Sequence, residues 1–133
     1  MAQQLMCLVV TPEATVFDEA VEFVALPLFD GELGVLPGRS PLIGRLGYGE
    51  LRIRQAGSKT LTYYVDGGFV QIADNVVSVL TNRAIPAERL DLQAAEEQLS
   101  AAVQRHAPTD DLQAVRERQI NQARAQIRVA SRR

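Results

Sequence analysis

The chain has 133 residues, 47% of them hydrophobic and 23% charged, ordinary values for one globular domain with room for a small appended unit. Its one cysteine, Cys7, excludes an internal disulfide and any multi-cysteine metal site, and reads as a small buried hydrophobe on a strand. The formal net charge of −2 is unevenly spread: from Leu112 onward six arginines (Arg116, Arg118, Arg124, Arg128, Arg132, Arg133) face Glu117 alone, about +5, which leaves about −7 on the rest.

The opening "MAQQLMCLVV" has no basic lead, and its apolar run breaks at Thr11-Pro12. Neither a signal peptide nor a membrane span is expected, so the chain is expected in the cytoplasm or at a membrane only through partners. Up to about Pro86 the pattern is short strands with frequent turns. "LMCLVV" stops at Thr11-Pro12, "VEFVALPLF" at Asp30-Gly31, "ELRIRQ" at Gly57-Ser58, "TLTYYV" at Asp66-Gly67-Gly68 and "FVQIA" at Asp74-Asn75, with "VVSVL" following directly. Such spacing predicts an antiparallel β-sandwich or barrel. In "ELRIRQ", Leu51 and Ile53 point one way and Glu50, Arg52 and Arg54 the other, so one face of that strand is wet.

After Pro86 the period becomes helical. Leu92, Ala95, Leu99 and Ala102 with Val103 share a face, and Asp91 is placed to cap the first turn. "HAPTDD" then offers a proline and the capping candidates Thr109 and Asp110, ahead of a second stripe, Ile120, Ala123, Ile127 and Ala130. Two helices so closely joined predict an antiparallel hairpin over residues 87–133, against a sandwich over 1–86. Its alanine-rich seam buries little area, at about 25 cal/mol per Å², so the hairpin is expected to be the more mobile part.

Little catalytic chemistry is encoded. "GVLPGRS", Gly34–Ser40, resembles a phosphate loop, but its glycines are one residue too close, Arg39 replaces the lysine, and Pro37 removes a backbone N–H from the cradle. The lone histidine, His106, falls at a helix end beside Pro108, where the terminal carbonyls favour a cation. No histidine or cysteine cluster suits a metal. Glu96-Glu97 and Asp110-Asp111 are adjacent on helices, point in different directions, and read as solvated surface. No catalytic, cofactor or metal residue is therefore expected. The acidic body would repel nucleic acid, and the basic helix has no interleaved aromatics. Its arginines suit an acidic protein surface better, although a solvated face is an equal reading.

With "GELGVLPGRSPL" early, "DGGFVQIADNVVSVLTNRA" closing the sandwich and "LD" opening the hairpin, the chain resembles the epsilon subunit of F-type ATP synthase nearly end to end. The family pattern G-x-L-G-[IVL]-L-P-G-H-[AS]-P-[IL] is met by Gly31, Leu33, Gly34, Leu36, Pro37, Gly38, Ser40 and Pro41, with Arg39 where histidine is usual. A second element, G-G-[FI]-x-x-[IV]-x-x-x-x-[VI]-[TS]-[VI]-L, is met by Gly67, Gly68, Phe69, Ile72, Val77, Ser78, Val79 and Leu80.

The resemblance implies a mainly β fold of about ten short strands followed by the two-helix hairpin. It implies a non-catalytic rotor subunit, peripheral on the cytoplasmic face of the bacterial inner membrane, that helps couple ion flow to ATP synthesis and restrains ATP hydrolysis. Gly31 and Glu32 would meet the polar loops of the c ring, and Arg39, Ser40, Pro41 and Leu42 would lie toward the gamma subunit. Arg116, Arg118, Arg124 and Arg128 on the hairpin would reach the alpha and beta subunits of the catalytic head. The loop would then be a recognition surface, its glycines allowing turns and its prolines limiting the entropy lost on docking. A family nucleotide motif, [IL]-D-x-x-R-A, reads Leu90-Asp91-Leu92-Gln93-Ala94-Ala95 here, with Ala94 replacing the arginine, so weak nucleotide binding or none is expected. The rival readings are a free-standing β-sandwich binding module whose hairpin dimerises it, and a nucleotide-sensing switch.

Overall fold

A computed structural model describes residues 4–57 and 59–132. Ser58, read above as part of a turn, and Arg133, counted among the C-terminal arginines, lie outside the described residues. The strands are β1 (Leu5–Val10), β2 (Thr15–Val21), β3 (Phe23–Leu28), β4 (Gly31–Val35), β5 (Leu42–Arg45), β6 (Tyr48–Arg54), β7 (Thr60–Asp66), β8 (Phe69–Ala73), β9 (Val76–Leu80) and β10 (Ala84–Pro86). They form two five-stranded sheets, β2-β1-β9-β8-β5 and β10-β7-β6-β3-β4, packed face to face. The expected sandwich and helical hairpin are both present.

The alternation read from the sequence builds the core. Leu5, Cys7 and Val9 of β1, Leu51 and Ile53 of β6, Val70 and Ile72 of β8, and Val77 and Val79 of β9 all point into one apolar interior. Cys7 is buried as expected, and burial pushes its thiol up to about 12.

Three features depart from the sequence reading. "VEFVALPLF" is not one strand: β2 ends at Val21, the chain crosses at Glu22, and β3 begins at Phe23 in the opposite sheet. The Glu22 N–H donates to the Arg54 carbonyl at 2.8 Å, which anchors the crossing. The stretch from Gly31 is not all loop, because β3 reverses through Phe29-Asp30 and Gly31–Val35 pairs back on it as the edge strand β4. One pairing is parallel: β1 lies between β2 and β9 and runs with β9, from Met6 opposite Val76 to Val10 opposite Leu80. Parallel partners need a long connection, here nearly the whole sandwich, so local pattern could not reveal it.

Two of the turns read from the sequence carry left-handed backbone. Asp74 and Asn75, at φ 52° and 62°, form the two-residue turn joining β8 to β9. At Gly68, φ is +105°, and a Cβ would lie 1.9 Å from the Leu80 carbonyl oxygen, so only glycine fits.

A 3-10 turn over Ala87–Arg89 leads to helices α1 (Leu92–Gln104) and α2 (Asp110–Ser131). The caps are those expected: Asp91 Oδ1 accepts from the Ala94 N–H at 3.1 Å and Thr109 Oγ1 from the Leu112 N–H at 3.2 Å. His106 lies beyond the Arg105 C-cap and is exposed. Helix α2 lies against β6 and β7, with α1 packed on its other side. Burial on α2 is accordingly broader than the expected stripe, taking in Ala125, Gln126 and Val129 beside Ala123 and Ala130. Helix α1 has chiefly α2 as a neighbour, so Leu92 and Val103, at the margins of its stripe, stay in water.

Candidate functional site

The β10-β7-β6-β3-β4 sheet is covered on its outer side by the chain's own α2, whereas among the described residues no helix packs across the outer side of the other sheet. Register fixes what that bare face presents. Val10, Leu80, Phe69 and Arg45 form one row across four strands, and Leu8, Ser78, Gln71 and Ile43 form the next. Ile43 is 75% exposed, Phe69 60% and Leu80 50%, three large apolar side chains in adjacent rows of one sheet face. Beside it Phe29, 67% exposed, carries the Arg45 guanidinium 4.4 Å over its ring.

Of the residues singled out from the sequence, Arg39 to Leu42 lie beside this face, whereas Gly31 and Glu32 lie on the edge strand of the other sheet. Arg39, Ser40 and Pro41 are exposed just before β5. Leu42 turns inward and packs against the core, opposite Ile72, so its neighbour Ile43 is the side chain presented outward. The loop is staked at Gly38, whose N–H donates to Asn75 Oδ1 at 2.7 Å in the β8–β9 turn. That donor is occupied within the fold rather than turned toward a phosphate. Gly31 and Glu32 begin the edge strand β4, and the Glu32 carboxylate meets Arg52 at 2.8 Å in an exposed ion pair. Such pairs contribute about 0–1 kcal/mol, which leaves the carboxylate free to exchange partners.

The four hairpin arginines do not share one surface. Arg116 donates to the Val103 carbonyl at 2.8 Å and so braces α2 against α1. Arg118 is exposed elsewhere on α2. Arg124 and Arg128, four residues apart, flank a groove of 1140 Å³ between α2 and the end of the sandwich, whose other walls include Phe29, Arg45 and Phe69. Among the described residues neither makes an ion pair.

One polar centre escaped the sequence reading. Asp66, taken there as turn punctuation, is 5% exposed and sits where the sandwich meets α2. Its Oδ1 accepts from the Tyr64 hydroxyl and from Gln122 Nε2, both at 3.0 Å, and its Oδ2 meets Arg83 Nε at 3.1 Å. Its backbone N–H donates to Thr81 Oγ1 at 3.0 Å, and its carbonyl accepts from Asn82 Nδ2 at 3.2 Å. Burial first, and then the Asp66 charge, hold the Tyr64 phenol well above the ordinary tyrosine value, so it remains a protonated donor. A second link joins the end of α2 to β6, where Arg132 lies 3.7 Å from the largely buried Glu50. No group of three or more histidine, cysteine, aspartate or glutamate side chains among the described residues could hold a metal ion.

Residues 4–87 match the ATP synthase delta/epsilon chain, beta-sandwich domain. This chain belongs to the ATP synthase epsilon chain family. It is 49% identical over 124 residues to the ATP synthase epsilon chain of Rhodopirellula baltica, covering 93% of this chain and 96% of that one. It is 39% identical over 121 residues to that of a Synechococcus strain, covering 91% and 88%. The fold is shared with a chain in the cryo-EM structure of the Euglena gracilis mitochondrial ATP synthase OSCP/F1/c-ring, at a TM-score of 0.87, 23% identity, and coverage of 98% of this chain and 83% of that one. A chain in the Tetrahymena thermophila mitochondrial central stalk and c ring matches at a TM-score of 0.75, 14% identity, and coverage of 96% and 97%. No helix among the described residues of this epsilon chain is long and apolar enough to cross a membrane.

Proposed function

We propose that this epsilon chain is a non-catalytic subunit of the central stalk, turning with the rotor of an ATP synthase at the cytoplasmic face of a bacterial inner membrane. The observation that carries the reading is the bare apolar face of the β2-β1-β9-β8-β5 sheet, around Ile43, Phe69 and Leu80. A sandwich with one face closed by its own helix and the other left apolar is built to dock on a partner. The gamma subunit is the partner the family supplies, reached by that face and by Arg39–Pro41 at its border. Support comes also from the fold neighbours, which sit in assemblies of F1, central stalk and c ring.

Gly31 and Glu32 project from the edge strand, where an acidic group in a weak surface ion pair can trade Arg52 for polar c-ring loops. The hairpin restrains hydrolysis by presenting its free arginines to acidic segments of the alpha and beta subunits. Chemistry resides in those subunits, and ions pass through the membrane sector. The test is binding of the full chain to isolated gamma: a stable one-to-one complex is expected, and a homodimer indifferent to gamma would overturn the reading in favour of a free-standing module.

A further inference from the structure

We propose that Arg45, held flat on the Phe29 ring at the edge of the docking face, is the specificity anchor of that face and receives a carboxylate of the gamma subunit. This rests on the docking reading above and adds to it the chemistry the partner must bring. Arg45 ends β5 and is exposed, opposite Phe69 in the row that continues through Leu80 and Val10. It is the one charged member of an otherwise apolar row.

Two contacts fix its position. The Phe29 N–H donates to the carbonyl of Arg45 itself at 2.8 Å, and Leu28 bridges to Leu46, so the turn after β3 is tied to the end of β5 in the other sheet. The guanidinium then sits 4.4 Å over the Phe29 ring. Stacking occupies one face of the guanidinium and leaves its N–H edge without an ion-pair partner among the described residues. The arginine side-chain hydrogen bonds among those residues come from Arg52, Arg83, Arg105 and Arg116 instead. A guanidinium restrained in this way loses little freedom on meeting a carboxylate in bidentate geometry. Its surroundings select the anion. The groove that Arg45 lines also holds Arg124 and Arg128, and no aspartate or glutamate is among the described residues of its walls. An anion that reaches Arg45 must also cover Phe69 beside it, 60% exposed. A free phosphate would leave that ring in water, whereas an acidic side chain set in an apolar protein surface satisfies both.

Calorimetric titration of isolated gamma into the full chain, repeated over a range of salt concentrations, tests the anchor. Arg45→Gln is expected to lower the affinity about tenfold or more and to flatten its salt dependence. Arg45→Lys keeps the charge but not the fork, and should restore the salt dependence without the affinity. Phe29→Leu keeps apolar area but removes the ring face, and should weaken binding about threefold. Arg54, whose guanidinium lies 5.1 Å over Phe23 in the other sheet, is the control: Arg54→Gln should leave the affinity unchanged. Replacing Ile43, Phe69 and Leu80 together by serine tests the face on its own. If that triple exchange weakens binding while Arg45→Gln stays within about twofold of the unaltered chain, or costs no more than Arg54→Gln, the anchor is overturned and the docking face stands. If neither Arg45→Gln nor the triple exchange changes the affinity, both readings fall. Self-association of the chain that Arg45→Gln abolishes would put a second copy, not gamma, on Arg45 and overturn the assignment.

Discussion

Replacing Ile43, Phe69 and Leu80 together by serine tests the docking face. Full burial of such a side chain contributes roughly 1.5–3 kcal/mol. With 75%, 60% and 50% of these three still in water, covering them on a partner would contribute about 3–5.5 kcal/mol together. Losing that contribution should weaken binding to gamma by roughly 100- to 10,000-fold. The fold loses only the fraction already buried, about 2–3.5 kcal/mol, which a domain of this size tolerates. Calorimetric titration of gamma into the unaltered and triple-serine chains measures the ratio, and thermal unfolding of both shows that the sandwich survives. Affinities within threefold of each other, with both chains folded, would refute the assignment of this face.

Glu32→Lys should leave the isolated chain as stable as before, within about 0.5 kcal/mol, yet lower ion pumping driven by ATP in reconstituted vesicles; unchanged pumping would remove Glu32 from the ring contact. Gly68→Ala should destabilise the chain by about 3 kcal/mol or more, read from urea midpoints, because the added Cβ meets the Leu80 carbonyl and the backbone is left-handed. The folded-state thiol of Cys7 is raised from 9.0 to about 12, so its contribution is fully present below pH 9 and is lost as pH rises toward 12. Over that window Cys7→Ala should remove a stability slope of up to about 1.4 kcal/mol per pH unit, measured by denaturation at each pH. Reversing Arg124 and Arg128 to glutamate should raise ATP hydrolysis by the assembled complex, and added salt should relieve inhibition in the unaltered complex more than in the variant; equal rates at all salt concentrations would end the inhibitory role.

Much of this architecture is written in local pattern. Leu51 and Ile53 alternate with charged neighbours, so the inward face of β6 could be assigned directly, and Asp91 and Thr109 stand where helix caps must stand. The crossing at Glu22 left no such mark, because Val21 and Phe23 both read as strand and nothing local says that they serve different sheets. The parallel pairing of β1 with β9 depends on contacts some 70 residues apart. The apolar outer face did leave a signal. In "LMCLVV" and "VVSVL" nearly every position is apolar, so the outward side chains of those strands are largely apolar as well as the inward ones. Asp66 left none: Asp-Gly-Gly is a turn by composition, and only the folded chain brings Arg83 and Gln122 to its carboxylate.

The central claim, that this epsilon chain turns within a rotor rather than acting alone, is tested most directly by purifying the tagged full chain from its native membranes under mild detergent and identifying what accompanies it. The account predicts gamma, alpha, beta and c subunits in fixed proportion, with one copy of this chain per gamma. Recovery of the chain alone, or as a homodimer without gamma, would contradict it.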